Sequence, residues 1–128
     1  MKTLLTIFTL VFTVMFSSTS FGGWTKVFEF PGHTIYVDFD KIKKDGDIVY
    51  YWWLLDFAKP PSKNNELSYK NYYQGHCKLS KFKVLGISSH KEQMGIGTEP
   101  FETFKNPKWL DVPPNSMMET VLKKVCSR

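Results

Sequence analysis

The chain has 128 residues, 42% of them apolar and 23% charged, and its 17 basic and 12 acidic side chains leave a net charge of +5. That length supports one domain with a small core and leaves no room for a large multi-site enzyme. Disorder needs fewer apolar residues and more net charge, and a helical membrane protein needs more apolar length than remains after residue 22.

The chain opens on a basic head, Met1-Lys2. Leu4 to Phe16 is an apolar run broken only by Thr6, Thr9 and Thr13, and Ser17 to Gly22 is small and polar apart from Phe21. This three-part layout is that of a secretory signal peptide. The run is shorter than the roughly 20 apolar residues a membrane anchor needs. Small residues allow cleavage after Ser20 or after Gly22, and the second is preferred. The expected division is a signal peptide over 1–22 and one domain over 23–128. Losing Lys2 leaves a charge of +4, and 17 of the 21 aromatic residues remain. No cysteine lies near the junction to carry a lipid, so the expected product is exported to the periplasm or cell surface, without lipid anchor or transmembrane helix.

Cys77 and Cys126 are the two cysteines. In an oxidising compartment such a pair is expected to be a disulfide, and the distance between them is unlike the C-x-x-C spacing of redox pairs.

Trp24 to Phe30 reads as a strand stopped by Pro31-Gly32. Thr34 to Phe39 alternates, with Ile35, Val37 and Phe39 on one face, which is the period of a strand. Asp45-Gly46 signals a tight turn. Ile48 to Phe57 is the strongest strand. Val49, Tyr51, Trp53, Leu55 and Phe57 line one face, and Ile48, Tyr50, Trp52 and Leu54 the other. Apolar residues on both faces predict a central strand covered on each side. Lys59 to Asn65 is a loop. Leu67–Tyr73 and Cys77–Ser89 read as strands joined around Gln74-Gly75. Strict alternation then puts Cys77 and Leu79 on the face of Lys81 and Lys83, which a bulge near Ser80 would resolve. Residues 91–107 read as irregular.

Ser116 and Glu119 form a capping-box pattern. Behind it, Met118, Val121, Leu122, Val125 and Cys126 make one helical stripe, and a bond from Cys126 to Cys77 would pin that helix to the sheet. The expected fold is α+β: a small, mainly antiparallel sheet of about five to six strands, one C-terminal helix packed on it, and one disulfide.

His33, His76 and His90 lack metal-ligand spacing and read as turn or surface residues. Asp38, Asp40, Asp45 and Asp47 lack the spacing of a calcium loop and read as a solvated acidic hairpin end. Gly86-Ile87-Ser88 is not a nucleophile elbow, and Gly95-Ile96-Gly97 lacks a third glycine. No metal, cofactor or catalytic residue is expected. The functional signal is aromatic residues interleaved with cations. Tyr69 and Tyr72 flank Lys70, Lys81 and Lys83 follow on the next strand, and Tyr50 and Trp52 lie on the second face of the central strand. Tyr50, Trp52, Tyr69, Tyr72, Lys81 and Lys83 are the candidate ligand-binding residues. Rings supply rigid contact area at interfaces and stack on sugars. Two readings of that face stay open: an exposed patch, or a surface covered by the 94–104 loop. The expected partner is an extracellular or envelope protein or glycan; the alternative is an accessory envelope protein whose aromatic face is a homodimer seam. Export and a charge of +4 disfavour nucleic acid.

The runs Tyr36-Val37-Asp38-Phe39-Asp40-Lys41-Ile42-Lys43-Lys44 and Val49-Tyr50-Tyr51-Trp52-Trp53-Leu54-Leu55-Asp56-Phe57 resemble the surface-adhesin protein E family of bacterial exported proteins. So do Gln74-Gly75-His76-Cys77-Lys78-Leu79, His90-Lys91-Glu92-Gln93-Met94-Gly95 and the ending Pro113 through Cys126. The resemblance runs from Trp24 to Ser127. It implies an extracytoplasmic protein with a small antiparallel sheet, a C-terminal helix and a Cys77–Cys126 disulfide. It also implies a binding role: the adhesin that gives the family its name binds host matrix and serum proteins such as vitronectin, laminin and plasminogen, and can dimerise. The matching motifs are strand aromatics, turn residues and cysteines, so no binding site is carried over.

Overall fold

The computed structural model describes residues 23–61 and 63–128. The expected signal peptide lies outside the described residues. Five long strands form the sheet: β1 (Trp24–Phe30), β2 (His33–Asp38), β4 (Ile48–Phe57), β5 (Ser68–His76) and β6 (Lys81–His90). Three short strands, β3 (Lys43–Asp45), β7 (Glu102–Thr103) and β8 (Leu110–Asp111), bring the total among the described residues to eight rather than five or six. Two or three residues carry too little periodicity to be read from sequence. The order is β1-β2-β4-β5-β6-β7, all antiparallel, with β3 also beside β4 and β8 beside β6.

The central strand is β4, as its apolar residues on both faces require. On one face Val49, Tyr51 and Trp53 are buried, and they meet α1 (Met117–Cys126) through Val121, Leu122 and Val125. Tyr73 joins them, its ring 5.5 Å from both Tyr51 and Trp53. The Ser116 hydroxyl accepts from the Glu119 amide at 3.2 Å, which fixes the helix start. Glu119 reaches back to the amide of Asn115, one residue before the capping serine. Cys126 is bonded to Cys77, with Cα atoms 5.9 Å apart. Lys44 adds a clasp, donating to the carbonyls of Cys126 and Arg128.

The β5–β6 connection corrects the sequence reading. The strands run on to His76, and the turn is Cys77–Ser80, with Ser80 at φ 54°. Gln74-Gly75 lies inside β5. Gly75 is there because the helix sits on it: a Cβ at that position would stand 2.6 Å from a Leu122 methyl. Cys77 and Leu79 belong to the turn, so the parity conflict disappears. The irregularity lies between Tyr72 and Tyr73, where Leu85 is the extra residue between Val84 and Gly86.

Buried phenols give the helix-side core a pH signature. Burial pushes Tyr73 up to about 12 and Tyr51 further still. The folded state therefore keeps protons that the unfolded chain releases above the ordinary value of 10.0. Stability is expected to fall as pH rises through that region. Urea midpoints measured at pH 9 and 11 check this, and Tyr73→Phe should reduce the difference.

Candidate functional site

The face of the sheet turned away from α1 is built in rows set by strand register. Lys43, Tyr50, Gln74 and Lys83 lie side by side across β3, β4, β5 and β6. In the next row Trp52 pairs with Tyr72, and Tyr72 with Gly86. Leu54, Lys70 and Ser88 follow, then Asp56, Ser68 and His90.

Half of this face is covered. The turn Gln93–Gly95 is fastened over the last two rows: the Met94 amide donates to Asp56 Oδ1 at 2.7 Å, and the Gly95 amide to Ser68 Oγ at 2.9 Å. Leu54 is buried beneath it, and Gly95 lies against the aliphatic stem of Lys70. The other half is open. Trp52, Tyr72 and Tyr50 are half-exposed, with centroids 4.5 Å apart for Trp52–Tyr72 and 6.2 Å for Tyr50–Tyr72. From the 94–104 segment one ring reaches Trp52, that of Phe101 at 5.4 Å. Gly86 makes this approach possible, because a Cβ there would stand 2.3 Å from the Phe101 ring.

The open half is a groove of about 610 Å³ lined by Asp40, Lys41, Ile42, Lys43, Trp52, Tyr72 and Phe101. Strand register explains it. β2 pairs with β4 up to Val37–Trp53, and β3 resumes at Lys43–Tyr50. Between them the chain leaves the sheet as a short 3-10 turn, Phe39–Lys41. Asp38 starts that turn, buried and accepting from the Asp40 amide at 3.1 Å. It is not part of a solvated acidic end; Asp40, Asp45 and Asp47 are the exposed ones. The excursion is one wall, the Trp52–Tyr72 pair is the floor, and Phe101 is the far rim.

The candidate residues separate into three places. Tyr50, Trp52 and Tyr72 share the groove side of the face. Lys81 and Lys83 lie on the same face by register but are engaged beyond it. Lys81 pairs with Asp111 at 3.5 Å, and Lys83 Nζ sits 4.6 Å over the Trp109 ring. Tyr69 pairs with Leu55 and meets Phe57 edge-on at 5.9 Å, which places it on the opposite face. Lys41, Lys43 and Phe101 are lining residues that sequence reasoning missed. Lys43 was within reach of it: the Asp45-Gly46 turn sets β3 against β4, and counting back two residues puts Lys43 opposite Tyr50. Phe101 has no local signal.

Cationic charge gathers here. Burial holds Lys70 below the ordinary lysine value, and the nearby positive charge of Lys41 adds to the effect. Burial, with Tyr50 beside it, raises the Tyr72 phenol. Among the described residues no group of three or more His, Cys, Asp or Glu side chains is placed to hold a metal ion.

The histidine reading needs one correction. His90 is buried, with Nε2 2.8 Å from Ser88 Oγ, rather than on the surface. Its neighbours are Ser88, Lys70, Glu99 and the backbone of Ile96 and Gly97; desolvation first and Lys70 second hold its pKa below 6.5 against the opposing pull of the Ile96 and Gly97 backbone and Glu99. The unfolded chain thus binds a proton that the folded chain resists, and stability is lost as pH falls below 6.5. Urea midpoints at pH 7 and 5 check this, and His90→Gln should flatten the difference.

Among the described residues, an eight-stranded antiparallel sheet, a C-terminal helix bonded to its β5–β6 turn and an aromatic groove on the far face define a small α+β domain. The chain belongs to the surface-adhesin protein E family, whose sequence pattern matches residues 24–127. Among curated proteins, none matches the sequence. Solved structures of Haemophilus influenzae protein E share the fold. One crystal form is 16% identical, with a TM-score of 0.65, over 84% of this chain and 90% of that one. A second, from a non-typeable strain, is 15% identical, with a TM-score of 0.61, over 84% of this chain and 78% of that one. No helix among the described residues is long and apolar enough to cross a membrane.

Proposed function

We propose that this protein is an exported, non-enzymatic binding module of the cell envelope or surface. It contacts an extracellular or envelope ligand, protein or glycan, through the sheet face opposite the helix. The observation that carries this reading is the open half of that face. Trp52 and Tyr72 meet at 4.5 Å, their planes tilted by 33°, on paired strands and stay partly exposed, although a loop long enough to cover them lies alongside. Rings held by a sheet present contact area with little ordering entropy to lose. Membership of an adhesin family supports a binding role, and the expected export signal supports a location outside the cytoplasm.

The test is binding of the oxidised protein to a panel of matrix proteins and cell-envelope extract, comparing wild type with Trp52→Ala and Lys81→Glu. Loss of binding in Trp52→Ala, with the thermal midpoint retained, is the expected result. Lys81→Glu should act more weakly, because that lysine is engaged by Asp111. A tight dimer in sedimentation that hides Trp52 would favour the homodimer reading instead. Unchanged binding in both folded variants would remove this face from the account.

A further inference from the structure

We propose that the groove between the 39–42 excursion and Phe101 is a binding site for an acidic saccharide, a pyranose ring carrying a carboxylate. This rests on the binding-module reading and names the ligand of its exposed face. Three features converge. The floor is aromatic: Trp52 and Tyr72 are paired across adjacent strands with their rings inclined at 33°, and Phe101 is tilted at 57° to the Trp52 ring. The exposed faces of such rings take the apolar face of a sugar ring. The wall is cationic: Lys41 and Lys43 are both exposed and line the groove, and no ion pair engages either among the described residues. Lys70 stands close enough to Lys41 for the two charges to oppose each other, and an anion held beside them would relieve that repulsion.

The third feature is Asp40, which lines the same groove. A carboxylate beside the lysines works against a polyphosphate or a heavily sulfated chain. It suits a ring whose hydroxyls donate hydrogen bonds while its single acid group faces the lysines. The groove therefore selects moderate negative charge on a hydroxyl-rich ring. Two common sources carry that chemistry, a sialic acid and a uronic acid, and both belong in the test.

The experiment is titration of the oxidised protein with 3′-sialyllactose, a hyaluronan hexasaccharide and neutral lactose, followed by NMR. The expected result is saturable binding of one or both acidic sugars, with shifts at the Trp52 indole, Lys41 and Lys43. Lactose should bind about tenfold more weakly, and Lys41→Glu/Lys43→Glu should weaken the acidic sugar about tenfold or more with an unchanged thermal midpoint. Added salt should weaken it too. Whichever acidic sugar binds identifies the source. If neither binds at millimolar concentration, or if the double variant binds equally well, the proposal is overturned. Should matrix or envelope proteins still bind in that case, the binding-face reading survives; should they also fail, both fall together.

Discussion

Removing the disulfide is expected to produce one of the two largest losses of stability away from the groove. Cys77 and Cys126 are 49 residues apart in sequence, and chain-entropy arithmetic for a loop of that size gives about 4 kcal/mol as an upper figure. That is a large share of the 5–15 kcal/mol (roughly) that holds a typical domain folded. For a domain of this size it corresponds to a fall of roughly 15–25 °C in the thermal midpoint. The bond joins the last helical residue to the β5–β6 turn, so its loss also frees α1 to fray from its C-terminal end. Calorimetry of Cys77→Ala/Cys126→Ala against the oxidised protein checks the magnitude. Hydrogen exchange checks the location: protection should fall first in residues 121–126. A fall of only a degree or two would mean that the helix is held by packing alone.

The second large effect is expected at Leu122. Its side chain is buried against Gly75 at the centre of the helix–sheet contact. Leu122→Ala removes that packing and leaves a cavity which β4 and β5, tied into the sheet on both edges, cannot close. The expected cost is about 2–5 kcal/mol. The reciprocal change, Gly75→Val, drives a side chain into the space of the Leu122 methyl and should cost about 1–3 kcal/mol through overpacking. The two sites touch, so combining the substitutions should cost less than their sum. Denaturant midpoints for the two single variants and the double variant measure all three quantities. Strict additivity would contradict the contact.

The main strands and the helix were legible because each carries a long period. Ile48 to Phe57 is apolar on both faces, which a central strand alone accommodates. The stripe through Val121, Leu122 and Val125, started by Ser116, can be buried only along one side of a helix. Gly75 misled the reading for a physical reason. A glycine after a glutamine looks like a turn, but here it serves a close helix approach that depends on residues 47 positions away. The true turn at Ser80 uses a non-glycine residue at positive φ, which composition does not announce. The bulge at Leu85 was invisible because it is a property of pairing, not of β6 itself.

The site was half legible. Trp52 and Tyr72 were identified, and their neighbourhood follows from strand order. Tyr69 fell on the other face by simple parity, three residues from Tyr72. Lys81 and Lys83 were diverted by Asp111 and Trp109, one in a two-residue strand and the other just before it, where no periodic signal exists. The groove wall at Lys41 and Lys43 arises because β2 and β3 share one edge of β4 with a gap between them. That gap is a feature of register.

Chemical-shift mapping of the oxidised protein with a ligand from the matrix, envelope or saccharide panel tests the central claim most directly. The account predicts shifts clustered at Lys41, Lys43, Tyr50, Trp52, Tyr72 and Phe101, with the helix residues Val121 to Cys126 unmoved. Shifts confined to the helix side or to the β1 edge, with the Trp52 indole unmoved, would contradict it.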